Sequence, residues 1–383
     1  MMHRLLGKIA LALRYFLPSR DERAYLREIA RAQAFDRAYY LQAHPGLHPL
    51  FRLMPERHYV QHGEDKGLSP NGRFSPRAYL FHNPDLDPAT TRPLLHYLQT
   101  GRGEDRTVML EAHSAALPVF PPSPAPLPRC AAVAVVLHLY YLEMWEEFAP
   151  LLKAQTFEFD LWVTLTQDTD GTRAQALRDR IVAQFAGAQV YILPNHGRDL
   201  YPFVWVLEGG ALAPYAALCK LHSKKSPHRA DGDDWRQALT QGILGDPAQT
   251  ARRLDRFLHD PTAGFWVAEG QHYQGDVHWG VNRARACALL ARGGLSLPDA
   301  PLSFPAGSIY WMRQEVAAQI RALGLGAADF EPEQALVDGT TAHALERLFG
   351  SLADLSGRRI LTPGQLDGTG TNRPEGRGDP DAA

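Results

Sequence analysis

The sequence of 383 residues predicts an α/β protein, in which a mostly parallel sheet flanked by helices is preceded by a small all-α repeat domain. Two observations lead to this fold class. Apolar, strand-like runs alternate with helical patterns through the middle of the chain, and a unit of about 39 residues is duplicated near its start. A proline-rich stretch, "LPVFPPSPAPLPRC", separates the two regions and is typical of a stiff linker.

Composition excludes several classes of protein. The formal net charge is -2, so the global basic field of a nucleic-acid-binding protein is absent. The three cysteines, Cys130, Cys219 and Cys287, form no CxxC pair, which argues against a disulfide scaffold or a zinc knuckle and fits a reducing compartment. No run reaches the roughly 18 apolar residues of a membrane span. We therefore expect a cytoplasmic protein that binds no nucleic acid.

Residues 1–20 form a predicted amphipathic helix. Apolar residues recur there at helical spacing, and Arg4, Lys8 and Arg14 interrupt them. Two interpretations stay open. The helix can lie peripherally on the anionic inner face of the cytoplasmic membrane, or it can pack on its own protein.

The duplicated unit occupies the predicted helical domain, residues 21–112. "FDRAYYLQAHPGL" from Phe35 returns as "FSPRAYLFHNPDL" from Phe74, and "HYVQHGEDKG" from His58 returns as "HYLQTGRGED" from His96. Each unit predicts a short helix, a proline-containing turn, a second short helix with a His-Tyr pair, and a glycine stop. The aromatic residues are either its core or a platform for a ligand. Residues 113–129 are the predicted linker, 130–361 the α/β domain, and 362–383 a disordered tail.

Four apolar runs predict the parallel sheet: "AAVAVVLHLYY", "FDLWVTLTQ", "AQVYILPN" and "YAALCKLH". A helical pattern lies between each run and the next. Ligands of such sheets bind beyond the carboxyl ends of the strands. His138 and Tyr140 at the first strand end, and Thr164 at the second, are therefore candidate binding residues.

The third strand ends in "LPNHGRDLYPF", where Gly197 permits an unusual turn before a helix. Asn195, Arg198 and Asp199 gather at this point. Arg198 and the helix-start amides can hold a phosphate, and Asp199 can accept hydrogen bonds from sugar or ribose hydroxyls. The alternative is an ordinary strand–helix turn with Asp199 as the N-cap.

The fourth strand ends in "CKLHSKKSPH", which is purely basic. Lys220, His222 and Lys224 alternate along a strand, so we expect them to share one face. With Ser223 and Lys225 they form a candidate anion site. The alternative is a solvated run of charges.

Two later segments add candidates. In "FPAGSIYWMR", the small residues Ala306, Gly307 and Ser308 let a ligand approach the backbone, and the aromatic pair that follows either stacks on a ligand or packs in the core. In "DGTTAHALERLF", Asp338 precedes a helix and is presented at a cleft rim, or it simply caps that helix.

Together with "WR" (Trp235 and Arg236), these motifs resemble the rhamnan synthesis protein F family from about Cys130 to Leu361. Those proteins are glycosyltransferases of bacterial cell-surface polysaccharides. The duplicated unit is similar to modules found beside bacterial glycosyltransferase domains. The resemblance implies a GT-A-like (Rossmann-type) fold that transfers rhamnose or another deoxyhexose from a nucleotide-sugar donor. The acceptor would be a glycan, free or lipid-linked, such as a growing O-antigen of lipopolysaccharide, and partner glycosyltransferases are expected.

The resemblance also implies roles for residues. Trp235 and Arg236 join the donor-binding set, Asp338 is the candidate general base, and His343 is the second choice. A fold of this type usually carries an Asp-x-Asp metal motif after the fourth strand, where this chain has His222-Ser223-Lys224. We therefore expect no metal and no cofactor, with cationic groups neutralising the diphosphate instead.

Two other functions stay open at this point. The protein can be a non-catalytic glycan-binding or scaffold protein of polysaccharide assembly, or it can transfer another phosphate-linked group.

Overall fold

The computed structural model describes residues 18–110, 116–223 and 232–369, and of residues 232–236 it describes the backbone alone. The described chain divides into two compact units. One contains the described residues before 111 together with Gln334–Val337. The other contains the residues from 116 to Glu333 and from Asp338 onward.

The second unit is built on a sheet of seven strands within the described part of the chain. All strands of this unit are β1 (Val133–Leu139), β2 (Asp160–Thr166), β3 (Gln189–Leu193), β4 (Ala217–His222), β5 (Ala263–Trp266), β6 (His272–Gln274), β7 (Ser303–Pro305), β8 (Tyr310–Arg313) and β9 (Arg359–Leu361). The order in the large sheet is β3-β2-β1-β4-β8-β5-β9. β1 to β4 pair in parallel, β8 is antiparallel to β4 and β5, and β9 is parallel to β5. β6 and β7 form a separate antiparallel pair.

Helices cover both faces of the large sheet. They are α7 (Trp145–Ala154), α8 (Thr172–Gln184), α9 (Leu200–Glu208), α10 (Gly232–Leu244), α11 (Pro247–His259), α12 (Arg283–Arg292), α13 (Gln314–Ala322), α14 (Thr341–Leu355) and α15 (Pro363–Asp367). Since both faces are buried, the central strands are mostly apolar, as in β1, where every residue is buried and His138 alone is polar. Alternate residues of β1 belong to two separate cores, with Val135 and Leu137 in one and Ala134 and Val136 in the other.

The first unit is helical, and its two repeats have the same construction. Its helices are α1 (Arg20–Ala32), α2 (Arg37–Ala43), α3 (Pro49–Leu53), α4 (Pro55–His58), α5 (Pro76–His82) and α6 (Pro93–His96). A π-helical turn continues α4 through Tyr59–Gly63, and another continues α6 through Tyr97–Gly101. The fold class predicted from the sequence, a helical repeat region followed by a GT-A-like α/β sheet, is therefore confirmed.

One tyrosine–histidine hydrogen bond occurs in both repeats. The hydroxyl of Tyr40 lies 2.8 Å from Nδ1 of His58, and that of Tyr79 lies 2.8 Å from Nδ1 of His96. Both tyrosines are fully buried, so the aromatic residues of the repeat serve as its core. The two repeats thus repeat a contact as well as a sequence pattern.

A buried carboxylate holds the two repeats together. Glu64 of the first repeat accepts hydrogen bonds from the hydroxyl of Tyr25 (2.6 Å) and from the backbone of Leu94 (2.8 Å) in the second. Arg92 pairs with the same carboxylate at 2.9 Å. Both oxygens of the buried carboxylate thereby have hydrogen-bond partners, and one of these is a counter-charge, which lowers the cost of burying it.

Two predicted segments are more ordered than expected. The described part of the predicted linker packs on the second unit, where the indole of Trp205 donates to the carbonyl of Pro121 at 3.0 Å. Residues 362–369, assigned from the sequence to a disordered tail, include α15, and Asp367 of that helix pairs with Arg253 at 2.6 Å. The remaining predicted tail and residues 1–17 of the predicted amphipathic helix lie outside the described residues. Among the described helices, none combines the length and apolar character needed to cross a bilayer.

Candidate functional site

The site lies at the carboxyl ends of β1 and β4, where the strand order reverses direction. His138 of β1 stands opposite His222 of β4 in the parallel register. Beyond them, the backbone amide of Ser223 donates to the carbonyl of His138 at 2.8 Å. The hydroxyl of Ser223 accepts from the amides of Tyr140 (2.8 Å) and Tyr141 (2.9 Å). Ser223 therefore fixes the path by which the chain leaves β1.

A buried ion pair joins the third and fourth strand ends. Asp199 stands at the N-cap position of α9, but its side chain makes no capping hydrogen bond. Its carboxylate instead lies 2.5 Å from the ammonium of Lys220, which also donates to the carbonyl of Ser308 at 3.0 Å. Lys220 is only 1% exposed, and its ammonium lies over the rings of Phe203 and Tyr310. Lys220 therefore holds Asp199 in place and has no access to solvent.

A backbone turn with two left-handed residues borders this pair. Gly307 has a φ of 85° and Ser308 a φ of 56°. Nε2 of His222 lies 3.1 Å from the carbonyl of Gly307 and 3.9 Å from the carboxylate of Asp199. Since a carbonyl only accepts, Nε2 of His222 carries a proton in this arrangement. Lys220 and His222 thus share a face of β4, as their alternation predicts.

His138 is a neutral member of the cluster. Burial lowers the pKa of its imidazole to about 3, opposed by the negative charge of Asp199 and reinforced by His222 and Lys220. Its Nδ1 lies 3.0 Å from the hydroxyl of Thr164, which is itself buried. The two candidates from the first and second strand ends therefore pair with each other.

The carboxylate of Asp338 is held by two donors. The side-chain amide of Asn282 donates to it at 2.8 Å, and Arg347 lies 3.5 Å away. Burial alone would raise the pKa of Asp338, but Arg347, His343 and the bond from Asn282 outweigh that effect and lower it. Asp338 is therefore ionised at neutral pH and available as a proton acceptor.

His343 lies in the first turn of α14 and forms a capping box with Thr340. Its Nδ1 accepts from the backbone amide of Thr340 (3.3 Å) and lies 2.7 Å from the hydroxyl of the same residue. Burial lowers the pKa of His343 well below its usual value, with Arg198 adding to the effect and Asp338 and Asp199 opposing it. Because Nδ1 accepts, the proton of the neutral ring lies on Nε2, which makes His343 a donor in this state.

The other predicted residues fall into three groups. Gly197 and Arg198 are consecutive left-handed residues with φ of 62° and 58°, which is the unusual turn expected of this segment. Asn195 and Tyr140 are exposed at their strand ends, and Tyr140 is 47% exposed. Lys224 and Lys225, and the side chains of Trp235 and Arg236, lie outside the described residues.

The segment "FPAGSIYWMR" contributes residues both to the site and to the core. Ala306 and Ser308 are buried at the edge of the cluster. Tyr310 and Trp311 are both fully buried, and Trp311 stacks on Trp266 with ring centroids 6.0 Å apart. The two aromatic residues therefore pack in the core, so the interpretation in which they stack on a ligand is wrong.

Sequence reasoning gave no role to Glu346, Arg347 and Asn282, which the structure brings to the cluster. Glu346 accepts from the backbone amide of Gly307 at 2.9 Å, and the other two hold Asp338. Glu346 lies three residues after His343, on the same face of α14. The helical spacing in the sequence already places Glu346 on this face with His343, but it does not indicate the contact with Gly307.

A fold of this type usually provides carboxylates for a divalent metal, and the described strand end does not fit one. The carboxylate of Asp199 is already neutralised by Lys220, and Nε2 of His222 donates to a carbonyl. Within the described residues, no cluster of three or more His, Cys, Asp or Glu side chains is arranged to hold a metal ion. We therefore assign no step to a metal.

Comparison with known proteins agrees with this architecture. Two curated proteins, both named uncharacterised protein WxcX and both from strains of Xanthomonas campestris pv. campestris, are 32% identical to this chain over 237 residues. The match covers 62% of this chain and 33% of each relative. The chain thus spans about a third of the length of these relatives. No solved structure resembles the chain closely enough to count as a match.

The family assignment rests on a match to a family model. Residues 127–357, which include every described residue of the cluster, match the family model of rhamnan synthesis protein F, a family of polysaccharide synthesis. This range agrees closely with the segment that carries the resemblance in the sequence. The chain belongs to the rhamnan synthesis protein F family.

Proposed function

We propose that the protein is a glycosyltransferase, which transfers a sugar from a nucleotide-sugar donor to a growing cell-surface polysaccharide such as an O-antigen. Rhamnose or another deoxyhexose is the proposed sugar. One observation supports this most strongly: the cluster around Asp199 and Lys220 lies at the switch point between β1 and β4, where ligands of open α/β sheets bind. Membership in a polysaccharide-synthesis family supports the same reaction class.

The donor would lie across this switch point. His222 ends β4, and Ser223, Lys224 and Lys225 follow it directly in the sequence. In the proposal these four residues bind the diphosphate, and His222 does so by gaining a proton on Nδ1 while its Nε2 stays bound to Gly307. Asp199, with a carboxylate preset by the buried ammonium of Lys220, accepts hydrogen bonds from hydroxyls of the donor sugar.

The acceptor would react beside Asp338. In the proposed step, the acceptor hydroxyl oxygen attacks the anomeric carbon as the carboxylate of Asp338 removes its proton. The bond from that carbon to the diphosphate breaks, and nucleoside diphosphate leaves with the electron pair. His343, a donor through Nε2, would contact an oxygen of the sugar or diphosphate. This single displacement inverts the anomeric configuration.

The proposed enzyme needs no metal, because protonated side chains neutralise the leaving diphosphate. Positive groups aimed at developing charge can supply the same electrostatic stabilisation as a metal. Turnover that survives excess EDTA agrees with this. Loss of turnover in EDTA with rescue by Mn²⁺ contradicts it.

The decisive experiment is a donor screen with the purified full chain. Nucleotide sugars are tested first by thermal shift, since a ligand of the native state raises its apparent melting temperature. The best donors are then incubated with family-appropriate glycan acceptors, and released nucleotide is measured. Nucleoside diphosphate supports the proposal, whereas nucleoside monophosphate indicates transfer of a phosphate-linked group. Glycan binding without any release of nucleotide favours a scaffold protein.

The proposal extends to location and partners. The protein would act in the cytoplasm, at the inner face of the membrane, where lipid-linked acceptors are extended. Residues 1–20 would contact the anionic surface, and other glycosyltransferases would act on the same glycan. Co-sedimentation of the full chain with anionic vesicles, reduced when Arg4, Lys8 and Arg14 are replaced by glutamine, tests the membrane contact.

A further inference from the structure

Glu346 is clamped to the left-handed turn at the donor site. Its Oε1 accepts the backbone N–H of Gly307 at 2.9 Å and lies 3.4 Å from the hydroxyl of Ser308. The side chain is 20% exposed, and its other oxygen lies 3.7 Å from Arg347. Glu346 therefore holds the turn from the side of α14.

The opposite side of the same turn is held by β4. The carbonyl of Gly307 accepts from Nε2 of His222, and the carbonyl of Ser308 accepts from the ammonium of Lys220. Three consecutive peptide units carry these bonds: the N–H of Gly307 faces the carboxylate on α14, and the carbonyls of Gly307 and Ser308 face β4.

The turn needs such support because its conformation is unfavourable. A left-handed φ is uncommon for a residue other than glycine, and Ser308 has one beside the left-handed Gly307. Such residues persist where the surrounding contacts determine them. The contacts available here are those of Glu346, Lys220 and His222.

The buried ring of Tyr310 lies near both carboxylates of this series of contacts, those of Asp199 and Glu346. Burial raises the pKa of Tyr310 well above its usual value, and the negative charges of both Asp199 and Glu346 add to the effect. The negative charges of Asp199 at the donor site and of Glu346 on α14 therefore both act on one fully buried side chain, that of Tyr310.

We infer that Glu346 is a positioning residue, which, through the Gly307–Ser308 turn, holds His222 with its proton on Nε2 and holds Lys220 against Asp199. The inference rests on the proposed function only for its effect on turnover. Its effect on His222 is a property of the free protein and is measured without substrate.

Three variants of α14 test it. Glu346→Ala removes the acceptor, Glu346→Gln keeps an oxygen that can accept from Gly307, and Asp354→Asn is a matched control on the same helix. Glu346→Met retains the side-chain volume without an acceptor, and replaces the alanine variant if that variant does not fold. Long-range ¹H–¹⁵N spectra of histidine-labelled protein report the tautomer of His222, whose signal is identified by its loss in His222→Gln.

In wild-type protein, Glu346→Gln and Asp354→Asn, we expect His222 to carry its proton on Nε2. In Glu346→Ala we expect a mixture of tautomers. KM for the nucleotide sugar should rise about 10-fold in Glu346→Ala and stay within about threefold of wild type in the other two variants. A wild-type His222 signal and an unchanged KM in Glu346→Ala overturn the inference, while continued release of nucleoside diphosphate leaves the proposed function intact. If even wild type releases none, the proposed function fails, and the His222 spectrum still decides the role of Glu346.

Discussion

Asp199 stands at the N-cap position of α9, yet its carboxylate is bound by the ammonium of Lys220, 2.5 Å away, and not by the first turn of the helix. A lysine that is 1% exposed is stable in charged form only with such a partner. The pair joins the end of the third strand to the fourth. It also leaves the carboxylate oriented before any ligand arrives.

Breaking this pair should be costly. Lys220→Met removes the buried ammonium that pairs with the partly buried carboxylate of Asp199, so we expect the free energy of unfolding to fall by about 3–5 kcal/mol. Urea denaturation measures this. Arg180 pairs with Glu146 on the surface, with side chains 44% and 67% exposed, and provides the control. Arg180→Ala should change stability by no more than about 1 kcal/mol.

A second substitution separates the lost pair from lost packing. In Lys220→Met combined with Asp199→Leu, the carboxylate is removed together with the ammonium, so part of the stability should return. A double variant that is less stable than Lys220→Met would show that packing around the lysine stem dominates.

Asp338 should matter for turnover more than for folding. Asp338→Asn keeps the shape of the side chain but cannot take a proton, so we expect kcat to fall by roughly 10²–10⁴-fold. His343→Gln is the comparison, since glutamine at this position can still complete the capping box of α14. Its loss of kcat should be smaller. The reverse order would identify His343 as the base.

The neutral state of His138 predicts a dependence of stability on pH. The pKa of His138 is lowered to about 3, first by burial, whereas an unfolded histidine gains its proton near pH 6.5. As pH falls from about 6.5 towards 3, the unfolded chain is protonated and the folded one is not. Stability is therefore lost over that range and fully present above it.

His138→Gln isolates this effect. The difference in unfolding free energy between wild type and His138→Gln should shrink as pH falls from 7 to 4, by at most about 1.4 kcal/mol per pH unit. Urea denaturation at a series of pH values measures it. A constant difference would mean that His138 takes up its proton over the same pH range in the folded protein as in the unfolded chain.

The duplicated repeat predicts paired effects of two glycine substitutions. A Cβ on Gly63 would overlap the hydroxyl of Tyr40, and one on Gly101 would overlap the hydroxyl of Tyr79. Each hydroxyl is the one bound to the histidine of its repeat. We expect Gly63→Ala and Gly101→Ala each to destabilise the repeat unit by about 1–3 kcal/mol.

Gly72→Ala is the matched control for these glycines. A Cβ there would make ordinary contact, 3.7 Å from the ring of Tyr39. Thermal unfolding compares the three variants. Equal melting temperatures for all three would show that the tyrosines move aside at no cost.

Much of the fold follows from local sequence patterns. The apolar runs that predict β1 to β4 are strands of the sheet, and the Pro, His-Tyr and Gly positions of the repeat predict its paired short helices. Burial on both faces requires an unbroken apolar strand, and burial on one face of a helix requires a period near 3.6. Both patterns involve residues that are close together in the sequence, so these strands and helices can be predicted without knowledge of the fold.

The partners of polar side chains follow a different rule. The alternation of Lys220 and His222 correctly predicts a shared face, but it places Lys220 against a ligand, whereas the structure buries it against Asp199 and Ser308. Ser308 is 88 positions away along the chain. A periodic pattern of a few neighbouring residues cannot predict a contact between residues so far apart in the sequence.

The sequence by itself determined the order of helices and strands, the duplication, and the basic end of the fourth strand. Only the tertiary structure decided that Asp199 pairs with Lys220 and that Glu346 accepts a hydrogen bond from the Gly307–Ser308 turn. The physical reason is that periodicity reports how much apolar surface a segment must bury. Which distant donors and acceptors meet is determined by the packing of the sheet and helices, because buried polar groups must find partners wherever that packing places them.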